Sequence, residues 1–222
     1  MLVTCRNGAV LKSKQIIVTL PLGVLKSSGS KIFKAPLPLP LTTAIDRLGF
    51  GNFEKIFLQF KNIFWPVDKD TFVNLSGNPF RIWMNIYRPC GNEKGKAYLM
   101  TFVTGTIASS LKQLDDVSIT LMALSSLREV FGSKAIPEDE EEALLMVEQS
   151  LITCWSSDPY TLGAYSHIPI GGLPTDIDMM AKPYYDGMLQ FAGEATSRLY
   201  PGTVHGALLS GERAALHIAG LH

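Results

Sequence analysis

One stretch constrains this chain more than any other. An apolar, strand-like run at residues 188–191 passes through Gly193-Glu194 into a loop, and Gly202-Thr203 then opens a long helical pattern. The helix carries Gly206, Ala207, Ser210, Gly211, Ala214 and Ala215, so one of its faces has almost no side-chain bulk. Such a face lets another backbone, or a flat ligand, come close. The helix start offers N–H groups without intrahelical acceptors and the positive end of the macrodipole, which suit an anionic or electron-rich group. Two explanations fit these residues equally: a cofactor-binding turn, and a small-residue helix packed tightly on a sheet.

Composition narrows the classes in which that segment can sit. With 222 residues, 46% hydrophobic and 18% charged, the chain can bury a real core and is not a disordered one. The formal net charge at pH 7 is +0, so no global field favours nucleic acid or an anionic membrane. Cys5, Cys90 and Cys154 are widely spaced and form no CxxC pair, as expected of reduced thiols rather than a disulfide framework. The four histidines, His167, His205, His217 and His222, have no metal-ligand spacing, so no metal is expected. Ser210 lacks a G-x-S-x-G elbow. No apolar run reaches the length of about 20 residues that a membrane span needs, and an intracellular setting, cytoplasmic or nuclear, is expected.

Along the chain, strand and helix signals are mixed, which predicts an α/β or mixed α+β architecture. Strands are expected around 10–11, 15–19, 55–60, 82–87, 97–104, 151–155 and 189–191. Pro21-Leu-Gly-Val-Leu25 should close the second of these, and Pro36, Pro38 and Pro40 should keep residues 36–41 extended. Helices are expected at 43–48, 115–131 and 203–219. The middle one is the strongest, with Val117, Leu121, Leu124, Leu127 and Phe131 at helical spacing between a capping Asp115 or Asp116 and Gly132. The acidic run 138–142 reads as a solvated turn or first helical turn, and Gly171-Gly172 with Pro174 reads as a loop.

Four blocks, at residues 191–211, 18–26, 47–65 and 155–166, together resemble the flavin-containing amine oxidases, most closely their polyamine oxidase and lysine-specific histone demethylase branch. Phe191-Ala-Gly-Glu194 followed by Tyr200-Pro-Gly-Thr-Val-His-Gly-Ala-Leu-Leu-Ser-Gly211 is similar to the family's C-terminal flavin-binding signature. Val18-Thr-Leu-Pro-Leu-Gly-Val-Leu-Lys26 resembles its strand at the flavin edge. Arg47-Leu-Gly-Phe-Gly-Asn-Phe-Glu-Lys-Ile-Phe-Leu58, with Phe64-Trp65, resembles the stretch bearing its active-site lysine. Trp155-Ser-Ser-Asp-Pro-Tyr-Thr-Leu-Gly-Ala-Tyr-Ser166 resembles its Trp…Asp-Pro…Gly-x-Tyr-Ser segment. The blocks stand in the family's order and cover nearly the whole chain.

The resemblance implies roles residue by residue. Lys55 would be the catalytic lysine that holds a water at flavin N5. Glu194 would hydrogen-bond the ribityl or pyrophosphate region of FAD, Thr203 and Val204 would lie at the helix start against the ring, and Pro21, Trp155 and Tyr160 would pack around it. Tyr165, together with Thr203, would face the substrate, an aromatic π-face guiding a cationic amine. No cysteine stands near Ala164 or between Gly193 and Gly202, so FAD is expected to be non-covalent. The implied reaction is oxidation of a C–N bond in a polyamine or methyl-lysine-type amine, with dioxygen as second substrate, giving an imine or aldehyde and hydrogen peroxide. The implied partners are thus an amine or peptidyl-lysine substrate, without nucleic acid or membrane.

Family members open with a Rossmann unit whose G-x-G-x-x-G turn takes the pyrophosphate, and no such fingerprint occurs in this sequence. The expectation is therefore the C-terminal parts of a two-domain fold: 1–50 and 171–222 from an incomplete Rossmann-type FAD domain, and 51–170 from a substrate domain with a mixed sheet and helices. A sheet short of its first strand should make the chain partner-dependent or poorly soluble. The alternative is a catalytically inactive, truncated homologue acting as a binding module or remnant.

Overall fold

The computed structural model of the chain describes residues 1–86 and 96–220. It divides into two compact units, Met1–Gly51 with Asp158–His222, and Asn52–Ser157. The predicted strand end at Tyr87 lies outside the described residues, as do Cys90 and His222.

The first unit contains short strands and four helices among its described residues. β1 (Leu2–Thr4) and β2 (Val10–Lys12) form an antiparallel hairpin. β3 (Ile16–Val18) leads into α1 (Leu22–Ile32), α2 (Leu39–Arg47) and β4 (Gly49–Gly51). The sequence does not predict α1, and places α2 four residues too late. In both cases a proline that looks like a breaker is a starter. Pro21 is the N-cap of α1 and Pro38 that of α2, positions where a missing N–H costs nothing and a fixed φ helps. Burial of Leu22, Leu25, Leu41, Ala44 and Ile45 against Leu189 and Phe191 then stabilises both helices.

The second unit holds a five-stranded antiparallel sheet in the order β6-β7-β8-β5-β9. Its strands are β5 (Phe53–Phe60), β6 (Thr71–Val73), β7 (Ile82–Asn85), β8 (Ala97–Thr104) and β9 (Val147–Ile152). Among its described residues are the α-helices α3 (Gly105–Ser110), α4 (Asp116–Phe131) and α5 (Glu140–Leu145). Asp115 caps α4 by accepting the Ser118 N–H, and Asp139 caps α5 through Glu142, which gives the acidic run its place. Ile56, Leu58 and Phe60 alternate into a core with Trp83, Leu99, Leu124 and Leu127. That period of two puts Glu54 on the core side of β5 and Lys55 on the other.

The chain then returns to the first unit. β10 (Tyr165–His167) pairs antiparallel with β4. α6 (Pro174–Ala181) follows, then β11 (Leu189–Phe191), a single 3₁₀ turn at Glu194–Thr196 and α7 (Val204–Ala219). β11 runs parallel to β3, Leu189 opposite Ile16. α6, like α1 and α3, is a helix the sequence does not predict. Its start is fixed by Asp176, which accepts the Leu173 N–H at 3.0 Å and pairs with Arg47 at 2.6 Å.

The division between units falls at 157/158, not at the expected 170/171. Residues 158–170 join the first unit because β10 needs β4 as its partner, and because the loop before β10 seats on α1. A methyl group on Gly23 would stand 2.5 Å from the Thr161 carbonyl oxygen and 2.7 Å from that of Leu162, so only glycine permits this approach.

Candidate functional site

The expected site residues gather into local constellations, each within one unit. Pro21, Tyr160, Tyr165, Glu194, Thr203 and Val204 belong to the first unit, and Lys55 and Trp155 to the second.

At the start of α7, Thr203 is the N-cap. Its hydroxyl accepts the Gly206 N–H at 3.0 Å and donates to the Tyr200 carbonyl at 2.8 Å. Val204 follows almost wholly exposed, at 89%. The first-turn N–H groups of Val204 and His205 lie where a helix has no internal acceptors. The Tyr165 ring packs beside this helix start, its Cδ2 3.4 Å from where a Gly202 methyl would be.

Glu194 ties these pieces together. One carboxylate oxygen accepts the Ser166 N–H at 3.0 Å; the other accepts the Ser166 hydroxyl at 2.6 Å and the Gly202 N–H at 2.7 Å. It thereby links the strand of Tyr165 to the residue before Thr203. A carboxylate has about four acceptor sites, so one remains for an outside donor.

Behind this, Ser210 on α7 accepts the Gly193 N–H at 2.8 Å. Arg213 donates to the carbonyls of Phe191 and Thr196, at 2.9 and 3.0 Å, and to the Thr196 hydroxyl at 3.1 Å. Burial of the Arg213 guanidinium lowers its pKa from the ordinary value. The small-residue face of α7 therefore receives the backbone of its own unit at Gly206 and Ser210. Sequence reasoning missed the anchoring roles of Ser166, Ser210 and Arg213, whose partners lie far from them in the sequence.

Pro21 and Tyr160 flank a neighbouring contact. Tyr160, 76% exposed, donates its N–H to the Asp158 carboxylate at 2.7 Å, on the loop that seats on Gly23. His205 stands edge-on to Tyr200, ring centroids 4.7 Å apart, as a packing histidine.

In the second unit, Lys55 lies on β5 with its ammonium 6.0 Å from the centroid of the Phe53 ring. Its backbone N–H donates to the Thr153 hydroxyl at 2.8 Å, and its carbonyl accepts the Thr153 N–H at 2.9 Å. Trp155 sits in the turn just beyond β9, half-exposed. Cys154 shares that turn, and burial, then the charges of Glu54 and Asp116, push its thiol pKa up. A crevice lined by Glu54, Lys112, Cys154 and Ser156 measures ≈ 100 Å³, well below the roughly 300 Å³ of a small ligand pocket. Among the described residues no cluster of three or more His, Cys, Asp or Glu is arranged to hold a metal. No helix among them is long and apolar enough to cross a membrane.

The donors at the start of α7 fit an electron-rich ring edge such as a flavin's pyrimidine side, and the exposed Val204 leaves that helix start open. Comparisons with known proteins agree in kind. The family profile described as flavin containing amine oxidoreductase matches residues 1–219. A lysine-specific histone demethylase 1 homolog 3 from Oryza sativa subsp. indica is 36% identical over 97% of this chain and 26% of its own length. The protein FLOWERING LOCUS D of Arabidopsis thaliana is 35% identical over 96% of this chain and 26% of its own length. The chain thus spans about a quarter of the length of these curated relatives. Among solved structures, a redesigned putrescine oxidase triple mutant aligns with a TM-score of 0.79 at 22% identity, over 99% of this chain and 46% of that one. The wild-type putrescine oxidase bound to putrescine gives 0.76 at 22% identity, over 96% and 44%.

Proposed function

Because the chain belongs to the flavin containing amine oxidoreductases, we propose that it supplies the flavin-ring and substrate side of an FAD-dependent enzyme oxidising a C–N bond in a polyamine or methyl-lysine-type amine. The observation that carries this reading is the Tyr165 ring packed beside the capped start of α7, with Glu194 bonded to both segments. Bound non-covalently, FAD would supply two-electron oxidation of the amine to an imine that water hydrolyses, with dioxygen as the terminal oxidant giving hydrogen peroxide.

The chain's residues bind and orient. Thr203, Val204 and the open N–H groups of the first helical turn receive the ring edge. Pro21 and Tyr160 of the same unit would exclude water around it, and Glu194 keeps one acceptor site for the cofactor's hydroxyl chain. Tyr165 offers its π-face to a cationic amine, worth about 0.5–2 kcal/mol depending on desolvation. Lys55 holds the water near the redox atom as a hydrogen-bond donor. A histone lysine and putrescine, which the relatives' names carry, are both cationic amines, and this supports an amine substrate of that kind. An intracellular site, nuclear for a histone substrate, is consistent with that chemistry. On this reading the first unit is the FAD-side portion and the second the substrate-side portion.

The test is flavin titration of the purified chain, and of a longer clone containing it, read in the visible flavin bands. Uptake is expected in the longer clone at least, and Lys55→Ala should slow amine-dependent bleaching without releasing the cofactor. Absence of flavin binding in both proteins would refute the proposal and leave a binding module or remnant. Unchanged bleaching in Lys55→Ala would remove the lysine's role.

A further inference from the structure

Glu54 occupies a position that β5 reserves for core side chains. Strand alternation aligns it with Ile56 and Leu58, both fully buried, and Glu54 itself is 2% exposed. A carboxylate so placed is unfavourable unless its lone pairs are met. Here all of them are. One oxygen accepts the Ser156 N–H at 3.0 Å and the Ser156 hydroxyl at 2.8 Å; the other accepts the Thr153 hydroxyl at 2.8 Å and the Trp155 N–H at 3.1 Å. Four donors fill about four acceptor sites, so the lone pairs of the carboxyl group are met within the chain. An amide in its place would set its NH2 group against the Trp155 or Ser156 N–H.

Those four donors all come from one short segment. Residues 153–156 leave β9 and close a turn in which the Ser157 N–H donates to the Cys154 carbonyl at 2.9 Å. The successive N–H groups of Trp155 and Ser156 converge as an anion-binding concavity does, and Glu54 fills it from within the chain. Lys112 adds a donor from outside, its ammonium 3.0 Å from the Ser156 carbonyl oxygen. Thr153 is the relay. Its hydroxyl accepts the Lys55 N–H while donating to Glu54, so the backbone of Lys55 and the carboxylate beside it share one partner.

We propose that Glu54 is a positioning residue, holding the turn at 153–156 to the start of β5 and so fixing the backbone from which Lys55 and Trp155 project. The inference rests on the reading of Lys55 as the lysine that holds the reactive water. It assigns a purpose to a buried charge that the oxidation itself does not use.

The test needs no flavin, so its failure is distinct from failure of the functional proposal. In the unsubstituted chain, the Trp155 and Ser156 amides should exchange with deuterium at least about tenfold more slowly than unstructured amides. Unprotected amides there would overturn the clamp without any variant. Glu54→Gln keeps one acceptor and should lose roughly half of the bonded donors; Glu54→Ala should lose all. In whichever variant folds, the Lys55 ε-CH2 resonance and the Trp155 emission should move, while the buried Trp65 and Trp83 keep their native signals. A folded variant with native Lys55 and Trp155 signals would show Glu54 to be a core residue only, and would overturn the proposal.

Discussion

Two glycines on one helix should respond oppositely to the same substitution. Gly206 and Gly211 both lie inside α7, where glycine costs about 0.8–1 kcal/mol relative to alanine. At Gly211 a methyl group would meet nothing within 4 Å. Gly211→Ala should therefore stabilise the chain by about that amount, 0.8–1 kcal/mol. At Gly206 the methyl would stand 2.0 Å from the Tyr200 carbonyl oxygen, 2.9 Å from the Thr203 hydroxyl and 3.0 Å from that of Ser197. Van der Waals contact needs more than about 1 Å extra separation from that carbonyl, and a backbone oxygen cannot swing aside. Displacing it breaks the bond from the Thr203 hydroxyl, and with it the N-cap. Overpacking of this kind costs about 1–3 kcal/mol and loss of a threonine cap about 1 kcal/mol. After the propensity gain, Gly206→Ala should be destabilising by about 1–3 kcal/mol. Urea denaturation followed by far-UV circular dichroism measures both, with amide exchange along residues 207–214 assigning the change to α7. Midpoints moving in opposite directions are expected. If both alanines stabilise, the close approach of the 200–203 loop to α7 is wrong, and so is the account of the small-residue face.

Glu194→Ala should cost about 2–6 kcal/mol, because it strands the N–H and hydroxyl of buried Ser166 at roughly 1–3 kcal/mol each while exposed Gly202 regains water. A shift in urea midpoint equivalent to less than about 0.5 kcal/mol would contradict the strap. The Cys154 thiol, raised by burial and by the charges of Glu54 and Asp116, should alkylate with a pH midpoint above that of a free cysteine. Asp116→Asn removes one negative charge, so more thiolate forms at a given pH and the profile should move to lower pH. An unmoved profile, mapped at Cys154 by mass spectrometry, would argue against that coupling. Ser126→Ala should cost about 1–3 kcal/mol by leaving the buried Trp83 indole N–H, now bonded to the Ser126 hydroxyl at 3.1 Å, without its acceptor. Unaltered thermal stability would show that the indole finds another partner.

What is legible in the sequence and what is not divide along a physical line. α4 and α7 are legible because everything that makes them helical is local: an acidic or threonine cap, apolar spacing, and a glycine after the last turn. α1 and α6 are hidden because proline carries two meanings, breaker and first-turn residue, and only distant packing chooses between them. Strand pairing is equally silent, since β3 finds its parallel partner β11 across most of the chain. The candidate site shows the same split. Residue types in order suggest Lys55, Tyr165, Glu194 and Thr203, yet what positions them is the fold: Glu54 reaching residues 153–156, and Glu194 reaching Ser166 and Gly202. Each carboxylate joins two segments far apart in sequence, and each segment bears a residue of the proposed site. A charge on the core face of a strand, as at Glu54, is the one local sign of such a join. Strand alternation alone makes it anomalous, and burying it without donors would cost more than one domain can absorb. The anomaly therefore demands a polar partner elsewhere in the chain. The run Thr153-Cys-Trp-Ser-Ser157, placed directly after an apolar strand, is the stretch rich enough in hydroxyls and turn amides to supply it.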